Sequence, residues 1–261
     1  DTGLGGLVIL KEIIKVFPKM SITYLADTEA LPLGNKEKAE IQSRVKQAVD
    51  YLFQKGCSLI ILACNTASVT TIRELQQNYI KNKYPNRNVL GINIPLLENL
   101  KENYSYFKNA SGLILSTEAT FNSGFCQEEL PKIGFTKTVS ISCSDLASMI
   151  EGGDEKKIQR EIDNILGTAQ TKNQKIKFII LACTHYPLAI KQIKKALPLA
   201  TVVSQGKDIA LRLQNYFSRH SEYLPQDGKR EFILTKAVTV FDKKASKILG
   251  ERISFRSVNI S

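Results

Sequence analysis

No apolar run in this chain reaches the roughly 18 residues that suggest a membrane span, and no N-terminal signal pattern is visible. A membrane partner is therefore not expected. Cysteines are few: Cys57, Cys64, Cys126, Cys143 and Cys183, an odd number with no CxxC pair. That pattern argues against a disulfide framework and for a reducing compartment, with a cytoplasmic location. Histidines number only two. Cys183-Thr184-His185 offers two metal ligands, but His220 is the only other imidazole and the spacing signature of a zinc site is missing, so no metal is expected. A GxGxxG fingerprint is missing too, and no nucleotide cofactor is expected. The net charge is +11, yet there is no basic tail or arginine-rich block. The cations are spread along predicted helices, as at Lys36, Lys38, Arg44 and Lys46 or at Lys191, Lys194 and Lys195, which describes a solvated surface and no nucleic-acid partner.

What is present is a chain of 261 residues, 43% hydrophobic, in which short apolar runs alternate with longer amphipathic segments. This alternation predicts an α/β fold with largely parallel sheets. Strands are expected at Ile22–Ala26, Leu59–Ala63, Asn88–Ile92, Gly112–Leu115, Phe178–Ala182 and Thr201–Val203. Helices are expected at Leu4–Phe17, Lys36–Gln54, Ala67–Lys81, Ser144–Glu151, Asp154–Gly167, Leu188–Ala196 and Lys207–Ser218. Within Lys36–Gln54 the residues Ile41, Val45, Val49 and Leu52 recur on one face. Asp1-Thr2-Gly3-Leu4-Gly5-Gly6 opens the first helix as a tight turn. Such turns expose backbone N–H groups to anions.

One internal echo carries chemistry. Leu59-Ile60-Ile61-Leu62-Ala63-Cys64-Asn65-Thr66 resembles Phe178-Ile179-Ile180-Leu181-Ala182-Cys183-Thr184-His185, 119 residues later. Both read as buried strands ending in Ala-Cys and then polar residues. In open α/β sheets, ligands bind beyond the carboxyl ends of strands. Two related domains facing each other would therefore place two thiols on one cleft. Opposed thiols suit stereoinversion at carbon: one thiolate removes a proton, and the opposite thiol delivers one to the other face. A free thiol has a pKa of about 8.5, so the base needs a neighbouring cation or a helix N-terminus. Lowering it by about two units takes roughly 2.7 kcal/mol. His185 is placed to orient or exchange a proton near Cys183. Asn65, Thr66 and Thr184 can hold a substrate carboxylate as charge develops.

These residues also carry a family resemblance. Asp1-Thr2-Gly3-Leu4-Gly5-Gly6-Leu7 resembles the Asp-Ser-Gly-x-Gly-Gly opening of the glutamate racemases, within the aspartate/glutamate racemase superfamily. Ala63-Cys64-Asn65-Thr66-Ala67-Ser68 and Ala182-Cys183-Thr184-His185-Tyr186-Pro187-Leu188 are similar to that family's two cysteine motifs. Thr117-Glu118-Ala119-Thr120 and the loop from Asp27 to Pro32-Leu33-Gly34 follow in the corresponding order. The resemblance implies two similar α/β domains related by pseudo-twofold symmetry, with the active site in the cleft between them. It implies Cys64 as the base for the D-enantiomer, assisted by Asp1, and Cys183 for the L-enantiomer, assisted by His185. It also implies that Thr2, Pro32, Leu33, Gly34, Asn65, Thr66, Thr117, Thr120, Thr184 and Glu151 hold substrate or orient the site. The first domain would comprise 1–94 and 206–261, and the second 95–205.

Departures from the family pattern matter. Leu33 stands where the family usually has tyrosine, Ser144 follows Cys143 where proline is frequent, and Val203-Ser204-Gln205 replaces an Asp-Ser pair. Thr239-Val240-Phe241-Asp242 replaces a Gly-Asp-Pro-like element. The strand that the family places before Asp1 is expected to be missing from this sequence. The expected activity is cofactor-independent interconversion of L- and D-glutamate, supplying D-glutamate for peptidoglycan, with glutamate as the small-molecule partner and a homodimer among the assemblies it allows. The rival readings are an aspartate racemase or another racemase of the superfamily, and an inactive basic binding protein on the same fold.

Overall fold

The computed structural model describes residues 1–167, 175–224 and 227–260. Its organising elements are two strands buried at every position, β4 (Gly112–Ser116) and β6 (Phe178–Ala182). A strand apolar on both faces is stable only within a sheet covered on both sides. These two pair in parallel at the centre of a four-stranded sheet ordered β5-β4-β6-β7, with β5 (Thr138–Ser142) and β7 (Thr201–Val203) at the edges. The other half of the molecule holds two smaller sheets. β1 (Ile22–Ala26) pairs in parallel with β8 (Arg230–Leu234), which pairs with β9 (Arg256–Ser257), while β2 (Leu59–Leu62) pairs in parallel with β3 (Asn88–Gly91). Every strand pair among the described residues is parallel, as the alternating pattern predicts.

The helices follow their apolar stripes. In α1 (Gly5–Val16), Leu7, Leu10 and Ile13 are buried. In α2 (Lys38–Gln54) the buried stripe is Ile41, Val45, Val49 and Phe53, so the fourth member is Phe53, and Leu52 is only half-buried. The helix expected over Ala67–Lys81 starts earlier and is not uniform. α3 (Asn65–Glu74) passes through a π turn at Leu75–Tyr79 into α4 (Ile80–Lys83). Leu75 and Ile80, five residues apart, are both buried, and the wide turn brings them onto one face.

Several elements went unpredicted. α5 (Asn93–Asn103) follows β3 directly, and α6 (Glu118–Asn122) and α7 (Phe125–Lys132) precede β5. β5 buries only Ile141 fully, so its run of Thr and Ser carries little apolar signal. α8 (Leu146–Gly152), α9 (Glu155–Leu166), α10 (Ile190–Ala196) and α11 (Gly206–Phe217) were anticipated with shifts of a few residues at their ends, and α12 (Phe241–Leu249) was not. Asp154 caps α9, accepting from the N–H groups of Lys156 and Lys157, both at 3.1 Å.

A cavity of about 780 Å³ runs between β1 and β2, walled by aliphatic side chains including Ile22, Val45, Val49, Ile60 and Leu62. Asp1, Thr2 and Cys64 lie at its margin. There the backbone N–H of Asp27 donates to Asp1 O at 2.8 Å. Among the described residues no helix is long and apolar enough to cross a membrane.

Candidate active site

The two echoed segments do end at one place. β2 stops at Leu62, and Cys64 takes an extended conformation (φ −83°, ψ 127°) as the N-cap of α3. Ser68 ties the corner down: its N–H donates to Cys64 O at 2.9 Å and its hydroxyl to Leu62 O at 2.8 Å. The first N–H groups of a helix have no intrahelical acceptor, and here those of Ala67 and Thr66 point at the sulfur. Burial, and to a lesser degree the charge of Cys183, still push the Cys64 thiol above its ordinary range, because the amides only partly compensate.

Cys183 leaves β6 into a different setting. A tight 3-10 turn at Tyr186–Ala189 follows, not a full helix, and Tyr186 anchors it by donating from its buried hydroxyl to Cys143 O at 3.1 Å. His185 Nδ1 lies 4.0 Å from Cys183 Sγ, and Nε2 lies 2.8 Å from Glu151 Oε2. Burial alone would lower the His185 pKa. Its contacts with Cys183 and Glu151 outweigh that and raise it to about 9, so the ring is an imidazolium at neutral pH.

The helper groups are cross-braced between the halves. Asp1, beside the Cys64 half, accepts from the Thr184 hydroxyl at 3.1 Å, next to Cys183. Glu151, behind His185, accepts from the Leu4 N–H at 3.1 Å, in the loop that carries Asp1. Close approach is what the glycine-rich opening supplies. A Cβ on Gly5 would lie 2.5 Å from Thr184 Oγ1 and 2.7 Å from His185 Nδ1. Across the cleft, a Cβ on Gly34 would lie 2.5 Å from Thr117 Cβ.

The polar wall is built from hydroxyls and amides. Thr66 and Thr117 meet across the cleft at 2.8 Å, and Thr120 closes the triangle at 3.2 Å and 3.0 Å. Asn65 donates to Asn93 Oδ1 at 2.8 Å and is 1% exposed, and among the described residues nothing donates to its Oδ1. A buried acceptor without a donor is costly unless a ligand supplies one.

Cys64, Cys183, Thr2, Pro32, Leu33, Gly34, Asn65, Thr66, Thr117, Thr184 and His185 line one small pocket. Asp1, Thr120 and Glu151 do not line it. They bond to residues that do. Ala147 and Asn35 also line it, and Asn93 supports it, without having been singled out from the sequence; Ser144, noted there only as a departure from the family pattern, lines it too. Asn93 follows β3, so the strand-end rule that marked the cysteines could have marked it as well. Of the remaining cysteines, burial pushes Cys126 and Cys143 up to about 12, which makes them inert. Among the described residues no group of three or more His, Cys, Asp or Glu is arranged to hold a metal ion.

The pocket measures only about 20 Å³. That is room for about one water in this conformation.

Known proteins resemble this chain in both sequence and fold. The family model described as Asp/Glu/Hydantoin racemase matches residues 12–211. The glutamate racemase of Cereibacter sphaeroides is 30% identical over 98% of this chain and 97% of its own length. The crystal structure of the glutamate racemase isoform RacE1 from Bacillus anthracis is 30% identical, with a TM-score of 0.83 over 99% of this chain and 95% of that one. The glutamate racemase of Francisella tularensis, solved with D-glutamate, shares the fold at 22% identity, with a TM-score of 0.85 over 100% and 96% of the two chains. With two cysteine-bearing strand ends meeting at one pocket between two α/β domains, and with these matches along its length, the chain belongs to the Asp/Glu racemase family.

Proposed function

We propose that this protein interconverts L- and D-glutamate by two-base proton transfer between Cys64 and Cys183. The observation that carries the reading is that both thiols line one pocket, Cys183 beside His185 and Glu151 and Cys64 beside the first amides of α3; Asp1, whose carboxylate accepts from Thr184, is the group proposed to assist Cys64. Its full-length relatives named as glutamate racemases support glutamate as the substrate.

Burial holds Cys64 toward its thiol form, while the His185 imidazolium stands 4.0 Å from Cys183 as charge partner for a thiolate. In the L-to-D direction, the Cys183 thiolate takes the α-proton, forming S–H as the Cα–H bond breaks. The electron pair spreads into the adjacent carboxylate, and Cys64 gives its proton to the opposite face. The D-enantiomer leaves with the two sulfurs' protonation states exchanged, and the D-to-L direction reverses each transfer. Thr184, Thr66 and the backbone amides meet the substrate carboxylates, and the unpaired Asn65 Oδ1 accepts from the ammonium. Thr120 and Glu151 act behind these groups as orienting residues. Closure of the halves excludes water from the carbanion.

In this reading the halves are residues 1–94 with 206–261, and residues 95–205. The reaction belongs in the cytoplasm, where five free thiols stay reduced, and it supplies D-glutamate for peptidoglycan. The homodimer is tested by sedimentation.

The decisive test is incubation with L-glutamate in D2O, following deuterium at Cα and optical rotation together. Incorporation with loss of rotation is the expected result. Silence with glutamate and turnover of aspartate moves the substrate. Silence with both overturns the enzyme.

A further inference from the structure

Glu151 sits at the C-terminal end of α8, a helix of only seven residues. A short helix end is a poor anchor, because its last carbonyls have no intrahelical donor and fray easily. Yet the Glu151 carboxylate must hold a fixed position, because it accepts from both His185 and the Leu4 N–H. Something outside α8 fixes that end.

The anchor comes from the other half of the molecule. Lys244 on α12 donates through Nζ to Glu151 O, and to Gly152 O at 3.1 Å. A cation on the terminal carbonyls is the favourable pairing for a helix C-terminus. α12 is itself held firmly: Phe241 is buried at 2%, and Asp242 accepts from the Phe255 N–H at 3.3 Å and from the Ser254 hydroxyl at 3.0 Å. The helix begins at Val240 in the left-handed region (φ 63°), a conformation that a β-branched residue adopts only when its surroundings impose it.

We propose that Lys244 is a positioning residue for proton transfer: it clamps the end of α8 so that the Glu151 carboxylate stays on His185 Nε2. The assignment of His185 to catalysis rests on the racemase reading, but the clamp itself does not. The charged and titratable groups around His185 are Glu151 from α8, Cys183 on its own turn, and Asp1 through Thr184, with Cys64 and Tyr24 next to them. Lys244 meets the backbone of this cluster, so its influence on the imidazole is exerted through Glu151.

Two effects of removing Lys244 have opposite signs. Loss of a nearby positive charge, acting only through space, makes His185 easier to protonate. Release of Glu151 makes it harder to protonate, because the ring loses its anionic partner while remaining buried.

The chain contains only two histidines, so the imidazole can be titrated by NMR with histidine-labelled protein, using His220→Gln to assign the signals. The wild type is expected to titrate at about 9. Lys244→Met is expected to lower the proton affinity of His185 about tenfold, and Lys244→Arg, which keeps donors for both carbonyls, to restore it. A rise or no change in Lys244→Met overturns the clamp, as does an Arg variant that behaves like Met. Wild-type turnover of glutamate, measured separately, reports on the racemase reading. If that turnover is present, Lys244→Met should lower kcat several-fold at unchanged KM.

Discussion

The two cysteine corners begin from nearly the same sequence and are supported in different ways. After Cys64 the chain enters a ten-residue helix whose first amides face the sulfur. After Cys183 it enters a 3-10 turn, and the sulfur faces a buried imidazole backed by a carboxylate. Fixed amide dipoles can stabilise a thiolate but hold no proton to give. An imidazole can stabilise a thiolate and also relay a proton. Under the proposed mechanism the amides beside Cys64 act by their fixed geometry, while the imidazole beside Cys183 adds a group whose charge depends on pH.

The comparison breaks most severely at the sulfurs. Cys64→Ala and Cys183→Ala are each expected to lower two-way racemisation by about a thousandfold or more, since proton transfer at one face then has no base or acid. Substantial two-way turnover in either variant refutes two-base proton transfer.

The second test sharpens the difference. Glu151→Gln is expected to lower kcat roughly tenfold to a hundredfold and to move the alkaline limb of activity to lower pH, because His185 loses the partner that helps raise it to about 9. The stability consequence has a definite sign. The folded value lies above the unfolded value of about 6.5, so the His185 contribution is fully present below about pH 6.5 and is lost as pH rises through about 9. Thermal unfolding of the wild type should show this loss, of order a few kcal/mol, and Glu151→Gln should flatten it. An unchanged alkaline limb in Glu151→Gln would return the Cys183 half to simple geometry.

The smallest effect belongs to the shared wall. Thr120→Val removes one corner of the hydroxyl triangle between Thr66 and Thr117, at a cost of about 1 kcal/mol. Its expected signature is a several-fold rise in KM for glutamate with the pH profile intact, which steady-state kinetics at three pH values would read. A shifted profile would show that the wall takes part in proton transfer.

Part of the site was legible in the chain because it is local. The tight turn at Asp1–Gly6, the strand ends before Cys64 and Cys183, and the proximity of His185 to Cys183 are all set by sequence neighbours. Glu151 was noticed but could not be oriented. Its contacts to Leu4 and His185 span 147 and 34 residues, and no periodicity encodes them. Leu33 shows a similar limit: its side chain is buried in the core beside Ile41 and Val45, while the same residue lines the pocket. Lys244 carried no motif, since it matters only through a partner brought near by folding.

By itself, the sequence determined the parallel α/β character, because buried strands flanked by amphipathic helices have few other packings. It also marked the two cysteines that the fold brings to one pocket, because the strand-Ala-Cys echo is a local pattern. The tertiary structure alone decided how the thiols are served. Cross-bracing of Asp1 to Thr184 and of Glu151 to Leu4, and the grip of Lys244 on α8, depend on distances of a few ångströms between segments far apart in the chain. Those distances are fixed by how the two halves pack.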